Sequence, residues 1–67
     1  MPDKKNPITH SELVTWISRG KKMQEISVLT GYSKRTLETK LYHIMEISGS
    51  KTSAEVVYKY LKKGLIE

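Results

Sequence analysis

Ser33-Lys34-Arg35-Thr36-Leu37-Glu38-Thr39-Lys40-Leu41-Tyr42-His43-Ile44-Met45-Glu46-Ile47 is the stretch on which the reading of this chain turns. At about 100° per residue, Leu37, Leu41, Ile44 and the following Ser48 fall along one side of a helix. Arg35, Thr39, Tyr42 and Glu46 fall on the opposite side, flanked by Glu38 and His43. Ser33 stands at the N-cap position, where its hydroxyl can accept from a first-turn amide. One dry face and one polar, partly basic face suit a helix that reads a groove. They also suit an ordinary surface helix, so the flanking sequence has to decide.

Upstream, Gly31-Tyr32-Ser33 leaves only a three-residue connection to a second helix expected over about residues 23–30. Two helices joined by a short glycine-containing turn match a helix-turn-helix and also other helical hairpins. That second helix carries Met23, Ile26 and Leu29 at helical spacing, and Lys21 and Lys22 lead into it. Further back, Thr9-His10-Ser11-Glu12 has capping-box spacing, with Ile8 and Leu13 placed as a hydrophobic staple. Leu13, Val14, Trp16 and Ile17 supply an apolar face, and Gly20 marks the stop. Trp16 is expected to pack in the core. Residues 1–7 hold both prolines and no periodicity, which predicts a flexible arm.

Downstream, Gly49-Ser50 breaks the chain, and Thr52-Ser53-Ala54-Glu55 repeats the capping-box spacing. A fourth helix follows with Val56, Val57, Tyr60 and Leu61, closed near Lys62-Lys63-Gly64. Leu65 and Ile66 are expected to fold back as an apolar clip. No strand pattern of useful length and no internal repeat is present. The fold class is therefore all-α, four helices in one domain over residues 8–67.

Composition bounds the rest. Sixty-seven residues allow one small core, and with no cysteine neither a disulfide nor a thiolate metal site can staple it. The net charge of +5 favours an anionic partner, and its positive stretches are spread over residues 1–22, 34–43 and 51–67. No apolar run approaches the ~18 residues of a membrane span, and no signal-peptide core opens the chain, so a cytoplasmic protein without membrane association is expected. No phosphate-binding glycine loop is present, the serines have no visible base partner, and His10 and His43 lack ligand-spaced companions. The expectation is a binding module without enzymatic activity, metal or cofactor.

With these residues in place, the chain from about Ile8 to its C-terminus resembles the LuxR-type (GerE-like) helix-turn-helix DNA-binding domain. The resemblance rests on Glu12-Leu13-Val14, Trp16-Ile17, Gly20, Glu25-Ile26, Gly31, Ser33 and Arg35-Thr36-Leu37. It continues through Ile44, Gly49, Glu55 and Lys63-Gly64-Leu65-Ile66, without a gap from Glu12 to Ile66. It implies a third helix in the major groove of double-stranded DNA and a homodimer joined through the last helix. Lys22, Glu38, Lys40 and Ser50 depart from the family pattern, so the scaffold matches better than the reading surface.

By family position, Glu38, Thr39 and Tyr42 stand where base-reading side chains occur. Glu38 could accept from a cytosine amino group, or pair with Lys34 on the surface; Thr39 could meet a thymine methyl. Lys34, Arg35, Lys40 and His43, with the Thr36 hydroxyl, are placed for phosphates, as are Lys21 and Lys22 at the start of the second helix. Val56, Val57, Tyr60 and Leu61 form the expected dimer seam, or pack entirely on the third helix. The reading is a stand-alone bacterial or phage transcription regulator, cytoplasmic or nucleoid-associated, controlled by abundance, dimerisation or a regulatory partner protein. The competing reading is a helical protein-interaction module or anti-regulator that kept the scaffold but not DNA reading; a third, RNA binding through general basicity, has no motif behind it.

Overall fold

Thr9 starts the first helix by satisfying amides that a helix end leaves free. In the computed structural model, which describes residues 8–67, its hydroxyl accepts from the Glu12 amide at 3.1 Å. The Glu12 carboxylate accepts in return from the Thr9 amide at 2.9 Å. Helix α1 then runs His10–Ser18. Ile8 and Leu13 are both buried, as a staple across the cap requires. The arm expected over residues 1–7 lies outside the described residues.

Helix α2 spans Met23–Thr30. Lys22 has no side-chain acceptor to cap it, but the Glu25 carboxylate takes the Lys22 amide at 2.9 Å, which is half of a capping box. Leu29, grouped with the apolar positions, points outward. The turn that follows is built from one backbone conformation and two hydrogen bonds. Gly31 lies in the left-handed region at φ 82°, where a Cβ would be strained. The Ser27 hydroxyl donates to the Tyr32 carbonyl at 2.6 Å, and the Thr30 hydroxyl donates to the Ile26 carbonyl at 2.7 Å. Ser33 then caps helix α3, Lys34–Ser48, by accepting from the Thr36 amide at 3.1 Å.

The joint after α3 is tied by α4, Ser53–Lys62. The Lys59 ammonium donates to the Ser48 and Gly49 carbonyls at 2.7 and 3.1 Å. It therefore sits at the negative end of the α3 dipole. The Ser48 and Ser50 hydroxyls pair at 2.8 Å, which satisfies the buried polar side chain of Ser50. Thr52 caps α4 by accepting from the Glu55 amide, but Glu55 does not reach back to Thr52. Its carboxylate takes the Lys51 amide instead, at 2.8 Å, so the second capping box is displaced by one residue.

The core takes Leu13 and Val14 from α1, Ile26 from α2, Leu37 and Ile44 from α3, and Val56 and Tyr60 from α4. Ile8 and Ile66 close its ends. Helix α3 packs against all three other helices, and α1 lies on α4. Trp16 and Leu41 pack at the margin of this cluster. The C-terminal clip is half formed, with Ile66 inside and Leu65 exposed. The seam expected on α4 is corrected here: Val56 is fully buried and Tyr60 nearly so, and neither has surface to offer a second chain.

Two variants separate the core from the joint. Leu37→Ala leaves a cavity under all three contacts of α3 and lowers unfolding free energy by about 3 kcal/mol. Lys59→Met keeps the aliphatic stem but removes the ammonium from the α3 carbonyls, at a cost of about 1 kcal/mol. Urea unfolding followed by far-UV circular dichroism measures both.

Candidate functional site

Because α3 buries Leu37 and Ile44, its opposite side is carried into solvent. Arg35, Glu38, Thr39, Tyr42, His43 and Glu46 line an open, shallow depression there. A second depression beside it is lined by Arg35, Thr36, Thr39, Lys40 and His43. Tyr42 is 71% exposed, and every other member of the two sets is exposed except Lys40, which is half-buried. Lys34 is exposed at the start of the same helix. Among the described residues Glu38 makes no hydrogen bond or ion pair, so the surface pair with Lys34 does not form.

Lys21 is half-buried and Lys22 exposed at the foot of α2. Their setting differs from a bare helix N-terminus. The Glu25 carboxylate occupies the Lys22 amide and puts negative charge where an incoming anion would approach.

Helix α1 contributes a residue that the sequence reading left out of the site. His10, half-buried at the first position of α1, meets His43 of α3 edge to face, with ring centroids 5.9 Å apart and planes at 65°. Burial holds the His10 pKa below its ordinary value of 6.5, and the charges of Lys40 and then His43 lower it further. Nothing in the separation of residues 10 and 43 along the chain signals this contact; it follows from how α1 lies on α3.

On α4, Leu61 is 48% exposed, Val57 is half-buried and Tyr58 is exposed; Leu65, beyond the end of the helix, is exposed as well. The Lys62 ammonium lies 5.8 Å from the centre of the Tyr58 ring, in cation–π range. Thus the exposed apolar surface here is Tyr58 and Leu61 of α4 with Leu65 just after it; of the four residues expected as a seam, Leu61 is exposed and Val57 half-buried.

The outer side of α3 offers cations, hydroxyls, one phenol and the carboxylates of Glu38 and Glu46 around two open depressions. Such a set can attract and hydrogen-bond an extended anion. No group of three or more histidine, cysteine, aspartate or glutamate side chains that could hold a metal ion occurs among the described residues. None of the helices described is long and apolar enough to cross a membrane. No protein-family model, curated protein or solved structure matches this chain.

The depressed His10 pKa has a consequence for stability. The unfolded chain holds a proton on this residue more readily than the folded one, so unfolding takes up protons. The stability His10 contributes is complete above about pH 6.5 and is lost as pH falls through its folded value. His10→Gln removes that part of the slope. Urea midpoints of both proteins between about pH 5 and 7.5 measure it, the wild type falling more steeply toward acid.

Proposed function

We propose that this chain is a LuxR-type helix-turn-helix domain that binds double-stranded DNA sequence-specifically as a small transcription regulator. The observation that carries this reading is α3, whose inner face is packed on three helices while its outer face is exposed and charged. A helix with side chains is about 10–12 Å across and the major groove of B-DNA about 12 Å wide, so α3 fits it lengthwise. The resemblance read from the sequence supports the same role for α2, the Gly31 turn and α3.

In this reading Glu38, Thr39 and Tyr42 face base edges. The Glu38 carboxylate, free of any partner, accepts from a cytosine amino group and disfavours bases that present only acceptors. Lys34, Arg35, Lys40 and His43 hold phosphates with the Thr36 hydroxyl, and Lys21 and Lys22 reach the neighbouring backbone. Two copies pair through Leu61, Tyr58 and Leu65, with Val57 at the edge, and read two half-sites. A regulatory partner protein supplies the signal. The protein acts in the cytoplasm on the nucleoid or on phage DNA.

A second reading draws on the same helix. Glu38 and Glu46 interrupt the basic face, as they would on a module that docks on a basic protein and has given up DNA.

A salt titration of binding to a random-sequence duplex tests the first reading. Affinity is expected to fall steeply with salt. Changing Lys34, Arg35 and Lys40 together to alanine should weaken binding at least tenfold and reduce the slope of log affinity against log salt by about 2.7. No binding at low salt, or undiminished binding by the triple variant, contradicts it and leaves the protein-docking reading. For the seam, sedimentation of the wild type should give a dimer that Leu61→Asp converts to monomer; equal masses contradict that arrangement.

A further inference from the structure

We propose that His10, Lys40 and His43 form a proton-linked phosphate site, so that this chain binds duplex DNA more tightly as pH falls. The proposal rests on the DNA-binding reading and adds to it a residue from α1 and a dependence on acidity.

The three groups come from two helices. His10 stands at the start of α1, and its ring meets that of His43 on α3 at 5.9 Å between centroids. Lys40 lies one helical turn before His43 on α3, so both reach the same side of the helix. All three are basic side chains, and among the described residues none of them is paired with a carboxylate.

The surroundings favour an anion over a metal ion. Two imidazoles alone give half the ligand set of a closed site, and the Lys40 charge repels a cation. The groups acting on His10 from α3 are Lys40 and His43, and both lower its pKa; no charged group of α4 contributes. On α1 itself, the nearest carboxylate, Glu12, is turned back to the Thr9 amide and hydroxyl. Glu46 shares the depression beside His43 and does not act on His10. Hence His10 sits in a positive field that no carboxylate among the described residues offsets.

A phosphodiester on this cluster supplies the missing negative charge. It cancels the repulsion that Lys40 and His43 exert on protonated His10, and its oxygens accept from the imidazolium. Protonation is then easier in the complex than in the free protein. By linkage, DNA binding takes up a proton and acid strengthens binding, by as much as tenfold for each pH unit by which His10 moves. The sign is opposite to that for folding of the free chain, where acid works against the buried ring. At higher pH His10 is neutral, the phosphate loses that donor, and binding weakens.

The test is fluorescence anisotropy with a random-sequence duplex at constant ionic strength, from about pH 7.5 to 5.5. The wild type is expected to tighten roughly tenfold toward acid, and His10→Gln to lose most of that change. Proton NMR of the His10 ring in the wild type, free and duplex-bound, gives a readout independent of any variant: its pKa should rise on binding. Two results overturn the proposal: wild-type binding that is independent of pH, or a His10 pKa unmoved by duplex. Absence of duplex binding at every pH and at low salt is a separate failure, that of the DNA-binding reading itself.

Discussion

Leu37 and Ile44, seven residues apart, stand two turns from each other on α3, and both are wholly removed from water. Through them α3 meets α1, α2 and α4, so the other helices are positioned relative to this one. Burying each side chain contributes roughly 1.5–3 kcal/mol, a large share of the few kcal/mol that hold a domain of this size. The same contact fixes the rotation of α3 about its own axis. Once Leu37 and Ile44 face inward, Arg35, Thr39 and Tyr42 have to face out.

Caps and ties then set the two ends of α3. Ser33 closes its N-terminus and Gly31 turns the chain into it, while Lys59 reaches from α4 to the last carbonyls. None of these bonds is strong alone. Together they restrain a fifteen-residue helix that has only one face in the core, and the proposed role of the outer face requires such restraint, since base edges are read only in a fixed orientation. The Ser48–Ser50 hydroxyl pair belongs to the same joint. It lets a serine sit buried at no cost in unsatisfied polar atoms.

Where α1, α3 and α4 begin was legible in the sequence, because Thr9, Ser33 and Thr52 announce their caps through local hydrogen bonding that spans only three residues. The number of helices and the inward face of α3 followed from spacing in the same way. The outer face of α4 did not. Val56, Val57, Tyr60 and Leu61 all read as apolar, and only the packing on α1 and α3 determines that Val56 and Tyr60 go inside while Tyr58 and Leu61 stay out. The contact of His10 with His43 was hidden for a related reason. It depends on the placement of α1 over α3, which no local pattern encodes. The sequence allows Glu38 two roles, and its lack of a partner among the described residues removes the surface pair with Lys34.

The proposed function thus rests on one helix whose two faces have opposite fates, with a basic corner where α1 meets it. Backbone amide NMR of the labelled protein, titrated with a random-sequence duplex at low salt, reaches this claim most directly. The account predicts the largest shifts at Arg35, Thr39, Tyr42 and His43 of α3 and at His10 of α1, with small ones along the exposed side of α4. Shifts confined to Tyr58, Leu61 and Leu65, or none at all, would contradict it.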